Sequence, residues 1–117
     1  MGASTGLAKG WLLRDGDAVA AVEIARSAKE RMRGLLGRDS IEGALVLMPC
    51  RQVHTLGMRV PLDVAFCDAN GTVLRVDTLR TWRMSRVVWR SRFVVEAATG
   101  AFERWGIRPG RPLEVKL

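Results

Sequence analysis

The sequence contains little of what marks a secreted, metal-binding or membrane-spanning protein. It has two cysteines, Cys50 and Cys67, a single histidine, His54, and no tyrosine. Two separated cysteines build no disulfide framework, and with one histidine they offer none of the ligand spacings of a zinc site. No apolar run approaches the ~20 residues of a membrane-spanning helix, and no signal-peptide pattern opens the chain. We therefore predict a soluble, cytoplasmic protein with no metal, no cofactor and no membrane attachment.

Lysine is also scarce, and arginine supplies almost all of the positive charge. Only Lys9, Lys29 and Lys116 are lysines among 19 basic residues, against 12 acidic residues and a net charge of +7. Such a balance attracts polyanions in general without selecting one. Two alternatives stay open, a solvated basic surface and a nucleic-acid site.

The chain has the size of one domain. With 117 residues, of which 48% are hydrophobic, it can bury one core. The first nine residues carry few bulky apolar side chains, so we predict a flexible tail over residues 1–9. Residues 10–117 are predicted to form a single domain.

Short apolar segments bounded by turn residues predict a mainly β fold. Asp15-Gly16 and Asn70-Gly71 are typical of tight hairpin turns, since Asn, Asp and Gly tolerate the positive φ angles required there. The run from Leu62 to Cys67 alternates between two faces. The remaining predicted strands cover residues 11–13, 19–24, 44–48, 52–56, 72–79, 93–98 and 113–115. This pattern predicts an antiparallel sandwich or partly open barrel of about seven short strands.

One α-helix and one helical turn complete the predicted elements. Ser27 and Glu30 form a capping-box pattern, in which the Ser27 hydroxyl accepts from a first-turn amide and Glu30 accepts from the Ser27 amide. An apolar stripe follows, and Gly37 is predicted to end the helix near Leu36. Residues 100–105 are predicted to form the shorter helical turn.

Several motifs, in their order along the chain, resemble the DUF192 (UPF0127) family. They are RMRGLLGR at 31–38, HTLGMRVPLDVAF at 54–66, VEAATG at 95–100 and GIRPG at 106–110. The resemblance covers about residues 18–117 and implies a compact, β-rich domain, but it carries no activity with it. Many members read Trp-Met-Lys-Asn ahead of the Pro-Leu-Asp motif, whereas this chain has residues 54–57 (HTLG) there. Any role that an exposed tryptophan has at that place in other members is therefore not expected in this chain.

The first candidate site follows the segment from Arg51 to Asp63, beside the arginines of the predicted helix. In this hypothesis His54 and Asp63 approach each other, the carboxylate orients the imidazole, and arginines hold an unknown small polar or anionic ligand. The ligand-binding candidates are Arg31, Arg33, Arg51, His54, Arg59 and Asp63. The alternative is that Asp63 caps backbone amides of residues 57–60 and that His54 is an ordinary half-buried side chain.

The same residues allow an enzyme as the alternative function. His54 is the acid/base in that hypothesis, with Asp63 as its orienting partner and a small polar or anionic molecule as substrate. A Cys/His pair is a weaker candidate because nothing indicates an exposed, thiolate-prone cysteine. The sequence therefore assigns no catalytic residue, and we predict a non-enzymatic ligand- or partner-binding module.

The second candidate site is an arginine-rich strip from Arg75 to Arg92, in which Asp77 is the only acid. The nucleic-acid-binding candidates are Arg80, Trp82, Arg83, Arg86, Trp89 and Arg90. Their guanidinium groups would pair with phosphates, and an indole would stack on a base. One alternative is that both tryptophans are core residues. Another is that an apolar patch of Met84, residues 87–88 and Trp89 binds a protein partner or a second copy of the chain in a homodimer.

Overall fold

Seven strands and two short helices follow one another in the described part of the chain. Our computed structural model describes residues 7–35 and 42–117, except for the side chains of residues 33–35. The strands are β1 (Ala8–Arg14), β2 (Asp17–Ala25), β3 (Ala44–Leu47), β4 (Leu62–Cys67), β5 (Val73–Leu79), β6 (Phe93–Ala98) and β7 (Leu113–Lys116), and the helices are α1 (Ala28–Leu35) and α2 (Ala101–Trp105). Neither described helix is long and apolar enough to cross a membrane.

All seven strands belong to one sheet, in the order β5-β4-β6-β3-β2-β1-β7. Neighbouring strands are antiparallel except β2 and β3, which are parallel because the chain crosses over through α1 between them. At one edge β7 pairs with β1, and Lys116 lies opposite Trp11. The sheet curls into a half-barrel. The predicted mainly β, partly open barrel of about seven strands is therefore confirmed.

Both faces of the sheet are covered by apolar side chains. On the face that we call the α2 face, Phe102 of α2 packs against residues such as Val46. On the opposite face, which we call the α1 face, Val64 and Phe66 pack against Val53 from the loop that follows β3. Strands β3 and β4 are buried at every position, which explains why their sequences are apolar almost without interruption.

Both predicted hairpin turns form. Asp15 and Gly16 have φ angles of 53° and 83° and connect β1 to β2. Between β4 and β5, the Gly71 amide donates to the Asp68 carbonyl at 3.0 Å. The Asp68 carboxylate accepts from the Thr72 amide at 3.0 Å, so the side chain closes the same turn.

The predicted capping box also forms, with one partner shifted. The Ser27 hydroxyl accepts from the Glu30 amide at 3.2 Å. The Glu30 carboxylate accepts from the Arg26 amide at 3.0 Å rather than from the Ser27 amide. The helix end expected near Leu36 and the stop expected at Gly37 lie outside the described residues.

Two element boundaries differ from the sequence predictions. The strand predicted over residues 52–56 is wrong, because only His54 forms a bridge, with Met84 of a neighbouring loop. Strand β1 begins at Ala8, inside the range predicted as a tail, and Leu7 is buried in the core of the α1 face. Burial of Leu7 removes apolar surface from water, so residues 7–9 belong to the folded domain.

The two edges of the curled sheet meet at one point. Thr72 at the start of β5 forms a bridge with Pro112, and the Leu113 amide donates to the Gly71 carbonyl at 2.8 Å. Gly71 has a φ of 85°, and a Cβ at this position would lie 2.2 Å from the Leu113 carbonyl oxygen. Only glycine allows the backbones to approach this closely.

Candidate functional site

Asp63 finds its partners on the α2 face, away from His54. Its Oδ2 accepts from the backbone amides of Gly100 at 2.9 Å and Phe102 at 3.2 Å, and its Oδ1 accepts from the Thr78 hydroxyl at 3.0 Å. The carboxylate therefore ties the start of α2 to β4 and β5. The predicted pair of His54 and Asp63 does not form, and the alternative cap on residues 57–60 does not form either.

Strand alternation explains this outcome. Asp63 lies opposite Ala97 and shares its face of β4 with Ala65, and both alanines belong to the core of the α2 face. The loop that carries His54 covers the other face, where Val53 packs. Successive side chains of a strand point to opposite faces, so the sheet separates the two predicted partners.

A buried ion pair, which the sequence does not predict, anchors α1 to the sheet. Nη2 of Arg31 lies 2.8 Å from Oε1 of Glu96, and Nε of Arg31 donates to the same oxygen at 3.0 Å. Nη2 also donates to the backbone carbonyl of His54 at 2.6 Å. Arg31 therefore joins α1, β6 and the loop that carries His54. This contact brings together two predicted site residues, Arg31 and His54.

Glu96 is the most enclosed acid in the described chain. It is 0% exposed and projects from β6 on the α1 face, opposite Val64. Burial raises the pKa of its carboxyl group, while the adjacent Arg31 guanidinium opposes that shift. Its second oxygen, Oε2, has no hydrogen-bond partner among the described residues. The Glu96 carboxylate is therefore stabilised by Arg31 and not by contact with water.

A pocket opens beside this ion pair, between the start of α1 and the loop after β3. Its volume is about 210 Å³. We call it the α1 pocket. It is lined by Ala25, Arg26, Ser27, Ala28, Arg31, Met32, Leu47, Met48, Pro49, Cys50, Gln52, Val53 and His54. Among the described residues, no acidic side chain contributes to this lining.

The imidazole of His54 presents a hydrogen-bond donor. Its Nδ1 accepts from the Leu56 amide at 3.2 Å, so the neutral ring carries its proton on Nε2. Partial burial and then the nearby Arg31 charge lower the pKa of this imidazole from its ordinary value of 6.5. The ring is therefore neutral at pH 7 and can donate from Nε2.

Two further groups of the α1 pocket retain unused N–H bonds. The Nη1 atom of Arg31 and the Ala28 amide in the first turn of α1 form no hydrogen bond with the described residues. First-turn amides of a helix have no partner within the helix, and they carry the positive end of its dipole. Donors from α1 and from the His54 loop thus lie around one pocket.

Neither cysteine is an activated nucleophile. The Cys50 thiol lines the α1 pocket and donates to the Gln52 carbonyl at 3.2 Å, and burial raises its pKa. Cys67 is fully buried in the core of the α2 face, and burial raises its pKa to about 12. Both thiols stay protonated at neutral pH. Within residues 7–35 and 42–117, no group of three or more His, Cys, Asp or Glu side chains could hold a metal ion.

Other residues of the first candidate site lie elsewhere. Arg51 and Arg59 are exposed, and neither lines the α1 pocket. The side chain of Arg33 lies outside the description. Of the five predicted ligand-binding residues whose side chains are described, Arg31 and His54 line the pocket and the other three do not. The sequence analysis missed Glu96, although a lone acid within the otherwise apolar strand β6 is a recognisable signal of a buried charge.

The arginine-rich strip forms a surface loop, which we call the Arg–Trp loop (residues 80–92). Trp82 is 63% exposed and Trp89 is 76% exposed. The alternative that both tryptophans are core residues is therefore wrong. The buried residues of this loop are Ser85 and Ser91, and Val88 is partly buried. The four arginines predicted as nucleic-acid contacts are all exposed: Arg80, Arg83, Arg86 and Arg90.

Residues 50–55 hold the Arg–Trp loop in place. Thr55 and Arg83 exchange two bonds, from the Thr55 amide to the Arg83 carbonyl at 2.8 Å and from the Arg83 amide to the Thr55 hydroxyl at 3.0 Å. The Val53 amide donates to the buried Ser85 hydroxyl at 2.9 Å. The Ser91 hydroxyl donates to the carbonyl of Cys50 at 2.8 Å. The segment that lines the α1 pocket therefore also supports the Arg–Trp loop from behind.

Comparison with known proteins places this fold and these motifs in one family. The DUF192 family model, described as "Uncharacterized ACR", matches residues 11–115. A UPF0127 protein of Pyrococcus horikoshii is 30% identical over 87 residues, which cover 70% of this chain and 76% of that protein.

Two crystal structures share the fold at low sequence identity. A protein of Sinorhizobium meliloti titled "putative transcription regulator" has a TM-score of 0.74 and 21% identity, with 97% of this chain and 98% of that chain covered. A protein of unknown function from Novosphingobium aromaticivorans has a TM-score of 0.70 and 19% identity, with 92% and 84% covered. The match of the family model over nearly the whole chain confirms the predicted resemblance, and the chain belongs to the DUF192 family.

Proposed function

We propose that this protein is a non-enzymatic binding module that holds a small organic anion in the α1 pocket. The observation that carries the proposal is the convergence of unused hydrogen-bond donors on a pocket whose described lining contains no acidic side chain. Arg31 is fixed in position by Glu96 and by the His54 carbonyl, so its free Nη1 is held in place before a ligand arrives. Such preorganisation lowers the entropic cost of binding.

The donors favour an anion over a neutral ligand. Arg26 supplies positive charge, Arg31 supplies the free N–H bonds of Nη1, and the neutral ring of His54 supplies a further N–H. The first turn of α1 adds a free amide and the positive end of the helix dipole. A carboxylate or phosphate oxygen can accept from several of these donors at once.

The remaining lining favours a ligand with a short apolar part. Side chains such as Ala25, Leu47, Met48 and Val53 form most of the wall. The volume of about 210 Å³ is smaller than the ~300–1,000 Å³ of pockets for drug-sized molecules. A short aliphatic carboxylic acid matches both the donors and the apolar wall.

We propose binding and not catalysis because the groups that chemistry would need are not activated. Both thiols are protonated at neutral pH, and no carboxylate of the described residues orients His54 as a general base. Phosphate monoesters, if they bind, would use the same donors without the apolar wall.

The test is a titration of the ¹⁵N-labelled protein with acetate, butyrate, hexanoate and inorganic phosphate, followed by NMR. We expect butyrate or hexanoate to bind most tightly and to shift the amide signals of residues 26–31 and 50–54. His54→Ala removes one donor to a charged group and should weaken binding by about 10-fold. Arg26→Gln, which changes the pocket lining, should weaken binding more than Arg51→Gln, which removes an equal charge outside it.

The pH dependence of binding supplies a second readout. The pKa of His54 is lowered from its ordinary value of 6.5 by partial burial and by the Arg31 charge, so the ring gains its positive charge in a more acidic range than a free imidazole does. Binding of the carboxylate should therefore strengthen as the pH falls below neutrality into that range. His54→Ala should lose this pH dependence. Shifts that map outside the α1 pocket, or equal affinities of the Arg26→Gln and Arg51→Gln variants, would contradict the proposal.

A further inference from the structure

We infer that the Arg–Trp loop binds single-stranded nucleic acid, with one nucleotide seated in a groove beside Trp89. This site is separate from the α1 pocket. The groove has a volume of about 450 Å³. It is lined by Leu74, Arg75, Arg86, Val87, Val88, Trp89 and Arg90.

The groove contains two guanidinium groups that the described residues do not neutralise. The side chains of Arg86 and Arg90 form no hydrogen bond or ion pair with the described residues. Nε of Arg75 lies 2.7 Å from the Asp77 carboxylate, which leaves its terminal nitrogens available. In the part of the chain that the structure describes, no acidic side chain lines the groove itself, and Asp77 contacts Arg75 from beside it. The two unpaired guanidinium groups, with the terminal nitrogens of Arg75 beside them, are complementary to the phosphates of a strand.

The indole of Trp89 offers a stacking surface in the same groove. It is 76% exposed although a tryptophan gains free energy from burial. The backbone on both sides is held, since the Val88 amide donates to the Arg51 carbonyl at 2.8 Å and the Ser91 amide donates to the Val88 carbonyl at 2.9 Å. The backbone that carries the indole is therefore held, and a base can stack on the exposed ring.

A second indole is held outward at a strained position. Trp82 has a φ of 58°, a left-handed conformation that bulky residues rarely adopt. The strain persists because the Trp82 amide donates to the Thr55 carbonyl at 3.0 Å and the Arg83 amide donates to the Thr55 hydroxyl at 3.0 Å. Strain that the surrounding structure maintains is typical of binding surfaces. The two exposed indoles thus give the loop two places at which bases can stack.

Charge and shape favour nucleic acid over the other possible occupants. A second copy of the chain also carries a net charge of +7, so two Arg–Trp loops would repel each other. A lipid bilayer is flat, and its surface would leave the concave groove unfilled. A flexible single strand can place a base inside the groove and its phosphates on the surrounding arginines.

The experiment measures fluorescence anisotropy of fluorescein-labelled 12-mers of oligothymidylate and oligouridylate in 20–300 mM NaCl. We expect affinity to fall with salt, because phosphate contacts release counterions. Arg86→Ala/Arg90→Ala removes two contacts and should reduce the slope of log affinity against log salt by about 1.4. Trp89→Ala should weaken binding by roughly 5- to 100-fold at fixed salt, the range measured for loss of one stacked base.

Matched controls separate the groove from general effects of charge and exposed apolar surface. Lys9→Ala/Arg104→Ala removes the same charge from exposed positions outside the loop, and Trp11→Ala removes an indole that is 55% exposed on β1. Both should leave the affinity within about twofold and the salt slope unchanged. Circular dichroism establishes that every variant is folded, and His54→Ala should bind the oligonucleotides like the wild type.

Three results would overturn the inference. The first is no binding at 20 mM NaCl. The second is equal weakening by the groove variants and their controls. The third comes from vesicles of phosphatidylglycerol and phosphatidylcholine: if Trp89→Ala abolishes binding to vesicles and leaves oligonucleotide binding unchanged, the loop is a membrane-binding surface. None of these results bears on carboxylate binding in the α1 pocket, so the two proposals can fail separately.

Discussion

At the scale of single residues, the contact between Arg31 and Glu96 decides the geometry of the α1 pocket. The two charges lie 2.8 Å apart, and the side chains of Arg31 and Glu96 are only 7% and 0% exposed. In such a pair the attraction is offset by the cost of removing both charges from water. Loss of one partner is therefore much more harmful than loss of both.

A double-mutant cycle tests this prediction. Glu96→Leu leaves the buried Arg31 guanidinium without its carboxylate partner, and we expect the free energy of unfolding to fall by about 3–5 kcal/mol. Arg31→Met/Glu96→Leu removes both charges and should cost clearly less than the sum of the two single variants. Urea unfolding at pH 7 provides the measurement. Additive costs within experimental error would mean that the two side chains are not coupled.

Reasoning from the sequence at the scale of single residues identified two polar residues of the α1 pocket but not the partner of Arg31. Arg31 and His54 are predicted together because the family motifs and the unique histidine single them out, and both line the pocket. The partner of Arg31 is 65 positions away along the chain, a separation that no local pattern encodes. Asp63 is predicted correctly to need a partner. Which loop covers each face of β4 depends on the whole topology, so that partner was placed on the wrong face.

At the scale of elements, the Arg–Trp loop is ordered by residues that are buried beneath it. Thr55 is 0% exposed, and its hydroxyl contacts the backbone of the loop on both sides of Trp82, at the Arg80 carbonyl and the Arg83 amide. The hydroxyl both donates and accepts, so it satisfies two backbone groups that would otherwise lack a partner. Order in the loop should depend on this single oxygen atom.

Replacement of Thr55 by valine should loosen the Arg–Trp loop while the shape of the side chain is retained. Loss of the hydroxyl leaves buried polar groups unpaired at a cost of about 1–3 kcal/mol. Amide hydrogen exchange at residues 82 and 83 should accelerate by roughly 10-fold or more, while exchange within β4 changes much less. Thr99→Val, at an exposed turn, is the matched control. Equal exchange rates in the two variants would show that Thr55 does not order the loop.

Local patterns along the chain predicted most elements but not their long-range pairing. Apolar runs indicated β3, β4 and β6, and turn residues indicated both hairpins. The strand predicted over residues 52–56 does not form, because these residues pair with the Arg–Trp loop and not with another strand. His54 forms a bridge with Met84, and the Val53 amide donates to the Ser85 hydroxyl. The parallel pairing of β2 and β3 was not predicted, since it follows from the crossover through α1 and not from either strand alone.

At the scale of the whole molecule, the contact at Gly71 joins the two edges of the curled sheet. Gly71→Ala introduces a Cβ that would lie 2.2 Å from the Leu113 carbonyl oxygen, in addition to strain at a φ of 85°. We expect a loss of at least about 2 kcal/mol in the free energy of unfolding, because the backbones must separate and the bond from the Leu113 amide is weakened.

Gly110→Ala is the control that isolates the close approach. Gly110 has a similar φ of 87°, but nothing lies within 4 Å of its added Cβ. This variant should therefore lose only the amount due to backbone strain, about 1–2 kcal/mol. Thermal or urea unfolding of the two variants measures the difference. If both lose the same free energy, contact between the sheet edges contributes nothing to stability.

The pairing of β7 with β1 also governs how the chain could be reconnected. Because Lys116 lies opposite Trp11 on an antiparallel strand, a backbone continued past Leu117 would run beside Ala8 and arrive at Leu7 within a few residues. A short linker from residue 117 to residue 7 would make this junction an ordinary hairpin. Opening the exposed Asp15-Gly16 turn would then give a circularly permuted protein in which every strand keeps its present neighbours.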